Sequence, residues 1–237
     1  MHSEYALCGS TNRAAFATNA AMPASATTIP GLTVVDHPLI RVKLTRLRDV
    51  RTPSPSFRQT LAEIAMMLAF EATRDLSTLP AEVNTPLAAA PGEEMEGPVI
   101  VVPILRAGLG MVDGFLRVLP QAAVGHIGMF RNEATLLPES YYFKQPSHLA
   151  AAEVIVVDPM LATGHSASEA ISQLRQHGAR RVRFVCVIGC PEGVAHLRAT
   201  HPEVRIFAGA IDERLNEKGY IVPGLGDAGD RCFGTFE

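Results

Sequence analysis

Five short runs of apolar residues recur between residues 99 and 211 and predict the strands of one sheet. The runs are continuous rather than alternating, which is typical of strands buried on both faces of a parallel sheet. Segments with helical spacing of apolar positions separate several of the runs. This alternation predicts an α/β fold, a mostly parallel twisted sheet with helices on both faces. The predicted strands are 99–105, 124–130, 153–157, 182–188 and 205–211, and the predicted helices between them are 109–118, 166–177 and 191–201.

The chain ahead of the first strand predicts one long helix and two irregular segments. Ser56 and Gln59 have the spacing of a capping box, and apolar positions recur near the helical period as far as Leu76. Residues 80–98 contain proline and glycine and predict a connection. Residues 1–30 are rich in Ala, Thr, Ser and Asn and have little to bury. We therefore expect a disordered N-terminal extension over 1–30, with transit-peptide character as an alternative, and one domain over 31–237.

Composition narrows the class of protein without identifying its chemistry. A chain of 237 residues that is 47% apolar can form one large α/β domain. The net charge of −3 lacks the basic footprint of a nucleic-acid-binding protein. No apolar run approaches the roughly 20 residues that a bilayer-spanning helix needs. The basic run over 41–51 is interpreted as a solvated helix face or a subunit surface. The cysteines lack zinc-site spacing and favour a reducing, cytoplasmic location.

The clearest chemistry follows the third predicted strand. Asp158 ends that strand, and a turn of small residues with the hydroxyls of Thr163 and Ser166 leads into the next helix. Unpaired N–H groups at a helix N-terminus bind phosphate well, and an aspartate can accept hydrogen bonds from two vicinal sugar hydroxyls. The segment therefore predicts a site for a ribose 5-phosphate. The alternative is a turn that binds nothing, and the segment matches neither a Walker loop nor a dinucleotide fingerprint.

Four segments, in the same order along the chain, resemble those of the uracil phosphoribosyltransferases, a branch of the type I phosphoribosyltransferases. DPMLATGHS at 158–166 is similar to their phosphoribosyl-diphosphate loop. The other segments are VPILRAGLGM at 102–111, GMFRNEAT at 128–135 and GYIVPGLGDAGD at 219–230, and DHPLI at 36–40 is similar to the family's start. The likeness covers about residues 32–237. It implies a type I phosphoribosyltransferase fold with a C-terminal segment covering the base pocket.

This resemblance implies transfer of the 5-phosphoribosyl group from 5-phospho-α-D-ribose 1-diphosphate (PRPP) to uracil, giving UMP and diphosphate, a step of pyrimidine salvage. It assigns catalytic roles to Asp227, Arg106 and Arg131. It implies PRPP contacts at Arg106, Arg131, Asp158, Pro159, Met160, Leu161, Ala162, Thr163, Gly164, His165, Ser166 and Asp227. It implies uracil contacts at Ile221, Gly226, Asp227 and Ala228.

The same resemblance implies Mg²⁺, carried mainly by the diphosphate because the sequence shows no dense set of metal ligands. Some relatives respond to GTP, so GTP is a candidate effector, and a homo-oligomer, dimer or tetramer, is expected. Neither a nucleic-acid nor a membrane partner is expected. Two other functions stay open at this point. They are a phosphoribosyltransferase for another nucleobase, and a regulatory protein that keeps the fold and binds nucleic acid.

Individual positions leave alternatives open. Asp158 is followed by proline where many type I enzymes have a second acid, although the uracil branch shares this form. His165 stands where the family loop usually has glycine, and it either donates to the phosphate or faces solvent. Asp227 either acts at the sugar and base or caps a turn through its own backbone. Arg106 and Arg131 would otherwise form surface ion pairs.

Overall fold

The computed structural model describes residues 29–131 and 138–236, with the side chains of residues 130, 131 and 138 left out. The expected extension over 1–30 therefore lies outside the described residues except for Ile29 and Pro30. The described helices are α1 (Pro38–Arg48), α2 (Ser54–Ala72), α3 (Leu109–Val118), α4 (His165–Gln176), α5 (Pro191–Thr200) and α6 (Ala228–Phe233). The described strands are β1 (Leu32–Val34), β2 (Thr78–Asn84), β3 (Ala89–Met95), β4 (Val99–Leu105), β5 (Ala123–Val124), β6 (His126–Arg131), β7 (Pro138–Lys144), β8 (Glu153–Val157), β9 (Met160–Leu161), β10 (Arg181–Gly189), β11 (Arg205–Ile211), β12 (Arg214–Leu215) and β13 (Ile221–Val222).

A mostly parallel sheet forms the centre of the molecule. Its strand order is β1-β11-β10-β8-β4-β6-β7, with β5 paired to β4 and β9 paired to β10. Every pairing in it is parallel except that of β6 with β7. In register, Val157 at the end of β8 lies between Pro103 of β4 and Val185 of β10. The predicted α/β fold is confirmed, and the carboxyl ends of β4 and β8 meet at one edge of the sheet.

Each face of the sheet packs against its own group of helices. Helices α1, α2, α3 and α6 cover one face, and α4 and α5 cover the other. Ile155 and Val157 of β8 contribute to the first core, whereas Val154 and Val156 contribute to the second. All four side chains are completely buried. This two-sided burial explains why the strand is a continuous apolar run, because alternate residues must satisfy opposite hydrophobic cores.

Three predicted elements differ from the structure. Strand 124–130 is interrupted at Gly125, which separates β5 from β6. The predicted connection over 80–98 contains an antiparallel hairpin of β2 and β3. Both strands are largely exposed, so neither carries the apolar pattern that would have identified it. Proline is tolerated there because the two strands form a separate two-stranded sheet made only of edges.

The predicted capping box is wrong. Helix α2 begins at Ser54, its N-cap is Pro53, and no side-chain hydrogen bond caps it. Pro55 lies in the first turn, where the fixed φ of proline suits a helix start. Ser56 is therefore already helical and cannot serve as the cap, and the helix ends at Ala72 rather than near Leu76.

The basic run at 41–51 is only partly the solvated surface that was predicted. Arg41 and Arg51 form exposed ion pairs with neighbouring acids. Arg48 instead pairs with the buried Asp212. Cys186, Cys190 and Cys232 are free and buried, as small hydrophobic side chains are. Within 29–131 and 138–236, no helix combines the length and apolar character that crossing a membrane requires.

Candidate active site at the carboxyl edge of the sheet

The segment 158–166, called here the phosphate loop, runs from the end of β8 to the start of α4. Gly164 is the N-cap of α4 and has a left-handed conformation with φ +81°. A Cβ at this position would also lie 2.8 Å from the carbonyl oxygen of Gly193. Only glycine meets both conditions, and the N–H groups of the first turn of α4 lack intrahelical partners. The loop therefore ends in an arrangement suited to a phosphate monoester.

Helix α5 packs against the phosphate loop, a feature that sequence patterns did not indicate. A Cβ on Gly193 would lie 2.3 Å from the carbonyl oxygen of Ala162, so α5 can approach only because this residue is glycine. The thiol of Cys190 donates to the same carbonyl at 3.1 Å, and the Cys190 N–H donates to the carbonyl of Leu161 at 3.2 Å. These contacts join the phosphate loop to α5.

Asp158 lies directly after β8, at the entrance to the phosphate loop. Burial raises the pKa of the Asp158 carboxyl to about 7; a hydrogen bond from the Met160 N–H opposes this rise, and the negative charge of Asp227 adds to it. That hydrogen bond, 3.3 Å long, also fixes the orientation of the carboxyl group. A carboxylate with a raised pKa gains strongly from new hydrogen-bond donors or from a nearby cation.

His165 is the first residue of α4 and is exposed. The positive φ of this turn belongs to Gly164, so the side chain of His165 is accommodated without backbone strain. Its ring lies 4.3 Å, between centroids, from that of His196 on α5. Exposure agrees with the expectation that His165 faces solvent. Ser166 and Thr163 are partly exposed at the same helix start.

Arg106 follows β4 and lies at the same edge of the sheet as Asp158. The peptide bond between Leu105 and Arg106 is cis. The Arg106 guanidinium donates to Asp230 Oδ1 at 3.0 Å and to Thr235 Oγ1 at 3.1 Å, and the Arg106 side chain is 54% exposed. The ion pair considered as an alternative is thus present. A guanidinium has five N–H donors, so these two bonds leave capacity for phosphate oxygens.

Arg131 is the last residue of β6, the strand that pairs with β4. Its side chain and residues 132–137 lie outside the described part of the chain. The role of Arg131 at the diphosphate that the resemblance implies therefore stays a prediction.

The base loop, residues 221–229, begins in β13 and ends in the first turn of α6. The peptide bond between Val222 and Pro223 is cis, and Gly224 and Gly226 have positive φ. Ile221 and Ala228 are buried, whereas Gly226 is exposed. Asp227 carries the one polar side chain of this segment, so the loop offers mainly backbone groups.

Asp227 is the N-cap of α6, and its Oδ1 accepts from the Asp230 N–H at 2.9 Å. The capping role considered as an alternative is therefore observed. The cap uses one carboxylate oxygen of Asp227, and the negative charge of Asp227 still raises the pKa of Asp158.

The phosphate loop and the base loop lie at the same edge of the sheet although they are distant in sequence. The negative charge of Asp227 affects the pKa of Asp158, and the turn between β12 and β13, directly before the base loop, lies beside the phosphate loop. A Cβ on Gly219 would be 3.9 Å from Thr163 Cγ2. The structure thus brings together the predicted residues of 158–166, 221–229 and Arg106 at one edge of the sheet. Ligands of open α/β sheets bind outside this edge.

The donor set fits a metal that arrives with its substrate. In the part of the chain that is described, no group of three or more His, Cys, Asp or Glu side chains could hold an ion. Asp158 and Asp227 supply two carboxylates at one site. Such a pair suits Mg²⁺ that keeps several waters and substrate oxygens in its coordination shell.

Known proteins resemble this chain over most of its length. Residues 34–235 match the family model described as uracil phosphoribosyltransferase. A uracil phosphoribosyltransferase of Bacillus pumilus is 54% identical over 203 residues, which are 85% of this chain and 97% of the relative. One from Bacillus licheniformis is 55% identical over the same shares. A solved structure of a protein from Aquifex aeolicus is 40% identical, covers 86% of this chain and 98% of its own, and superposes with a TM-score of 0.82.

Proposed function

Because the chain belongs to the uracil phosphoribosyltransferase family, we infer that it transfers the 5-phosphoribosyl group of PRPP to uracil, giving UMP and diphosphate. The observation that carries the proposal is the placement of the phosphate loop and the base loop at one sheet edge, where Met160 and Ala162 of one loop and Ile221 of the other belong to the same hydrophobic core. A base and a ribose phosphate that react must lie side by side. Oriented binding of two reactants lowers the free-energy barrier of their reaction substantially.

The phosphate loop is the proposed site of the ribose 5-phosphate. The phosphate accepts hydrogen bonds from backbone N–H groups and hydroxyls between Ala162 and Ser166, at the start of α4. Asp158 accepts hydrogen bonds from the ribose hydroxyls. The next three residues, Pro159, Met160 and Leu161, fix the position of Asp158 through strand β9. The side chain of His165 faces solvent in this account, since it is exposed.

Arg106 and Arg131 are the proposed partners of the diphosphate. A guanidinium binds two phosphate oxygens at once and stays charged at every working pH. When the bond between C1′ and the diphosphate breaks, negative charge develops on the leaving oxygen. Preformed positive charge at that position stabilises the transition state. Bound Mg²⁺ supplies further neutralisation of the diphosphate charge.

The base loop is the proposed uracil pocket. Backbone groups of Ile221, Gly226 and Ala228 pair with the ring, whose O4 accepts and whose N3–H donates. Cytosine reverses both groups, so it would leave buried backbone groups unpaired, and such mismatches discriminate strongly. Asp227 lies between base and sugar, where its negative charge stabilises the positive charge that develops at C1′.

The function can be tested by uracil consumption in the presence of PRPP and magnesium, with a gel-shift assay on RNA and DNA in parallel. We expect turnover that depends on PRPP, and no shifted nucleic acid at the same protein concentration. Nucleic-acid binding without uracil consumption would contradict the proposal and favour a regulatory protein. No observation favours that alternative, since the net charge is −3.

Three finer features of this protein are also proposed. A homo-oligomer, a dimer or tetramer, stays the expectation from the resemblance, and analytical ultracentrifugation would detect it as a mass above 25.4 kDa. GTP is a candidate effector, which kinetics with and without GTP would detect. A cytoplasmic location follows from the unpaired buried cysteines and is tested by fractionation.

A further inference from the structure

Arg48, Asp212 and Gly224 form a cluster, called here the loop clamp, that joins three separate parts of the chain. Arg48 ends α1, Asp212 follows β11, and Gly224 lies in the base loop. Arg48 Nη2 donates to Asp212 Oδ1 at 2.5 Å, and Arg48 Nη1 donates to Asp212 Oδ2 at 2.7 Å. Asp212 Oδ2 also accepts from the Gly224 N–H at 2.9 Å, and Arg48 Nη1 donates to the Gly224 carbonyl at 2.8 Å.

The loop clamp is rigid because it is buried and anchored to the sheet. The side chain of Asp212 is 5% exposed and that of Arg48 is 26% exposed. The Asp212 N–H donates to the carbonyl of Gly189 at the end of β10, at 2.8 Å. Charge-assisted bidentate pairs have narrow geometry. The position of Gly224 is therefore defined relative to the carboxyl edge of the sheet.

The backbone of the base loop has little freedom beyond this contact. Gly224 has φ +66°, and a Cβ there would lie 2.1 Å from the carbonyl oxygen of Ile221. The next carbonyl, that of Leu225, accepts from Arg231 Nη1 at 2.7 Å. Arg231 Nη2 in turn donates to the carbonyl of Asp49 at 2.7 Å, one residue beyond Arg48. Two guanidinium groups thus tie the loop to the end of α1, directly before Gly226.

We propose that Arg48 and Asp212 are positioning residues that hold the base loop in the geometry required to bind and select uracil. The proposal rests on the proposed role of the base loop. A change of side-chain rotamer cannot reorient backbone groups. A displaced base loop therefore loses all of its hydrogen bonds to uracil at once. Neither residue needs to touch the ring. The clamp acts on the base and not on PRPP, because the phosphate loop is supported separately by α5 and Asp227 is held separately as the N-cap of α6.

The chain offers a matched control at the opposite edge of the sheet. Arg183, whose side chain is 9% exposed, donates to Glu153 Oε1 at 2.5 Å, and the side chain of Glu153 is 12% exposed. Arg183 lies in β10 near its start, far along the strand from the carboxyl edge. Glu153→Gln therefore weakens an ion pair of comparable burial, with a loss of stability, but leaves the base loop intact.

The test is steady-state kinetics of Asp212→Asn, Arg48→Lys and Glu153→Gln, with uracil and PRPP varied separately and with cytosine as a competing base. In Asp212→Asn the amide nitrogen must face either the guanidinium or the Gly224 N–H, which sets a donor against a donor. Lysine cannot reproduce the bidentate fork. We expect the KM for uracil to rise about tenfold or more in both clamp variants, with the KM for PRPP within about twofold of the parent.

The control separates positioning from loss of stability. Thermal unfolding of all variants is measured, and Glu153→Gln should lose stability without changing either KM. Equal changes in both KM values, or an unchanged KM for uracil in the clamp variants, would overturn the positioning role while leaving the function intact. Should Asp212→Asn fail to fold, Arg48→Lys alone decides by the same criterion. A parent enzyme without uracil turnover would overturn the function, and the positioning role with it.

Discussion

The negative charge of Asp227 adds to burial in raising the pKa of the Asp158 carboxyl. Burial is the larger cause, and together they raise this pKa from its ordinary value of 3.8 to about 7. The two residues belong to different loops, one proposed for the sugar phosphate and the other for the base. Their electrostatic interaction couples the two loops. We therefore expect ligand binding to depend on pH near neutrality.

PRPP should bind more tightly as the pH rises through about 7, because the ionised form of Asp158 accepts hydrogen bonds from the ribose hydroxyls. Binding at neutral pH should release protons. Calorimetric titration of PRPP between about pH 6 and 8.5, in buffers of different ionisation enthalpy, measures both effects. Asp158→Asn should bind PRPP more weakly and lose the part of the pH dependence that is due to the protein. Identical pH profiles for the two proteins would contradict the role of Asp158.

The same carboxyl predicts an effect on stability with the opposite sign. Its pKa is higher in the folded protein than in the unfolded chain, so the folded state binds more protons between about pH 4 and 7. The free energy of unfolding of the parent should therefore fall, relative to Asp158→Asn, as the pH rises through this window. Denaturant unfolding without ligand at several pH values checks it, and a difference that does not change with pH would contradict it.

Arg106→Lys should lose at least about tenfold in kcat/KM, or roughly 1.4 kcal/mol of transition-state stabilisation, because one ammonium cannot replace the planar fork. Steady-state kinetics with PRPP varied measures the loss. Asp230→Asn is the control, since it removes the ion partner of Arg106 and keeps the guanidinium. This control should stay within a few-fold of the parent. Parental kinetics in the Lys variant would remove Arg106 from the site.

His165→Gly should keep uracil turnover within a few-fold of the parent, because His165 is exposed and the positive φ belongs to Gly164. If His165 instead donated to the phosphate as a cation, the parent would lose PRPP affinity on deprotonation of the ring and the variant would not. PRPP affinity of the two proteins, measured over the same pH range, distinguishes these outcomes. Matching profiles support solvent exposure.

Buried strands could be predicted from the sequence, and exposed or tertiary features could not. The bounds of β4, β8 and β11 agree with the predicted ranges because each strand is buried on both faces and therefore reads as a continuous apolar run. The hairpin of β2 and β3 was missed because an exposed pair of strands needs no such pattern. The start of α2 was misplaced because proline, rather than a capping side chain, begins it.

The site shows the same division. Its loops could be predicted because motifs of glycine, acid and hydroxyl residues follow strands at the edge where ligands bind. The loop clamp could not, since Arg48 and Asp212 are 164 residues apart and Arg48 stands in an ordinary basic run. The pKa of Asp158 was equally hidden, because it depends on burial and on a second loop.

Asp227→Asn should lower kcat by about a hundredfold or more, near 2.7 kcal/mol, with folding unchanged. Asparagine caps a helix about as well as aspartate, so α6 should keep its N-cap. The neutral amide cannot offset positive charge at C1′. Kinetics with each substrate varied separately measures the loss, and thermal unfolding serves as the control. An unchanged kcat would leave Asp227 as a helix cap alone.

A competition between nucleobases tests whether the protein converts uracil to UMP. Purified protein is incubated with PRPP, magnesium and an equimolar mixture of nucleobases, and the products are identified by mass. We expect UMP and diphosphate, formed in equal amounts, with cytosine and the purines left unconsumed. Formation of another nucleotide in place of UMP, or no nucleotide at all, would contradict it.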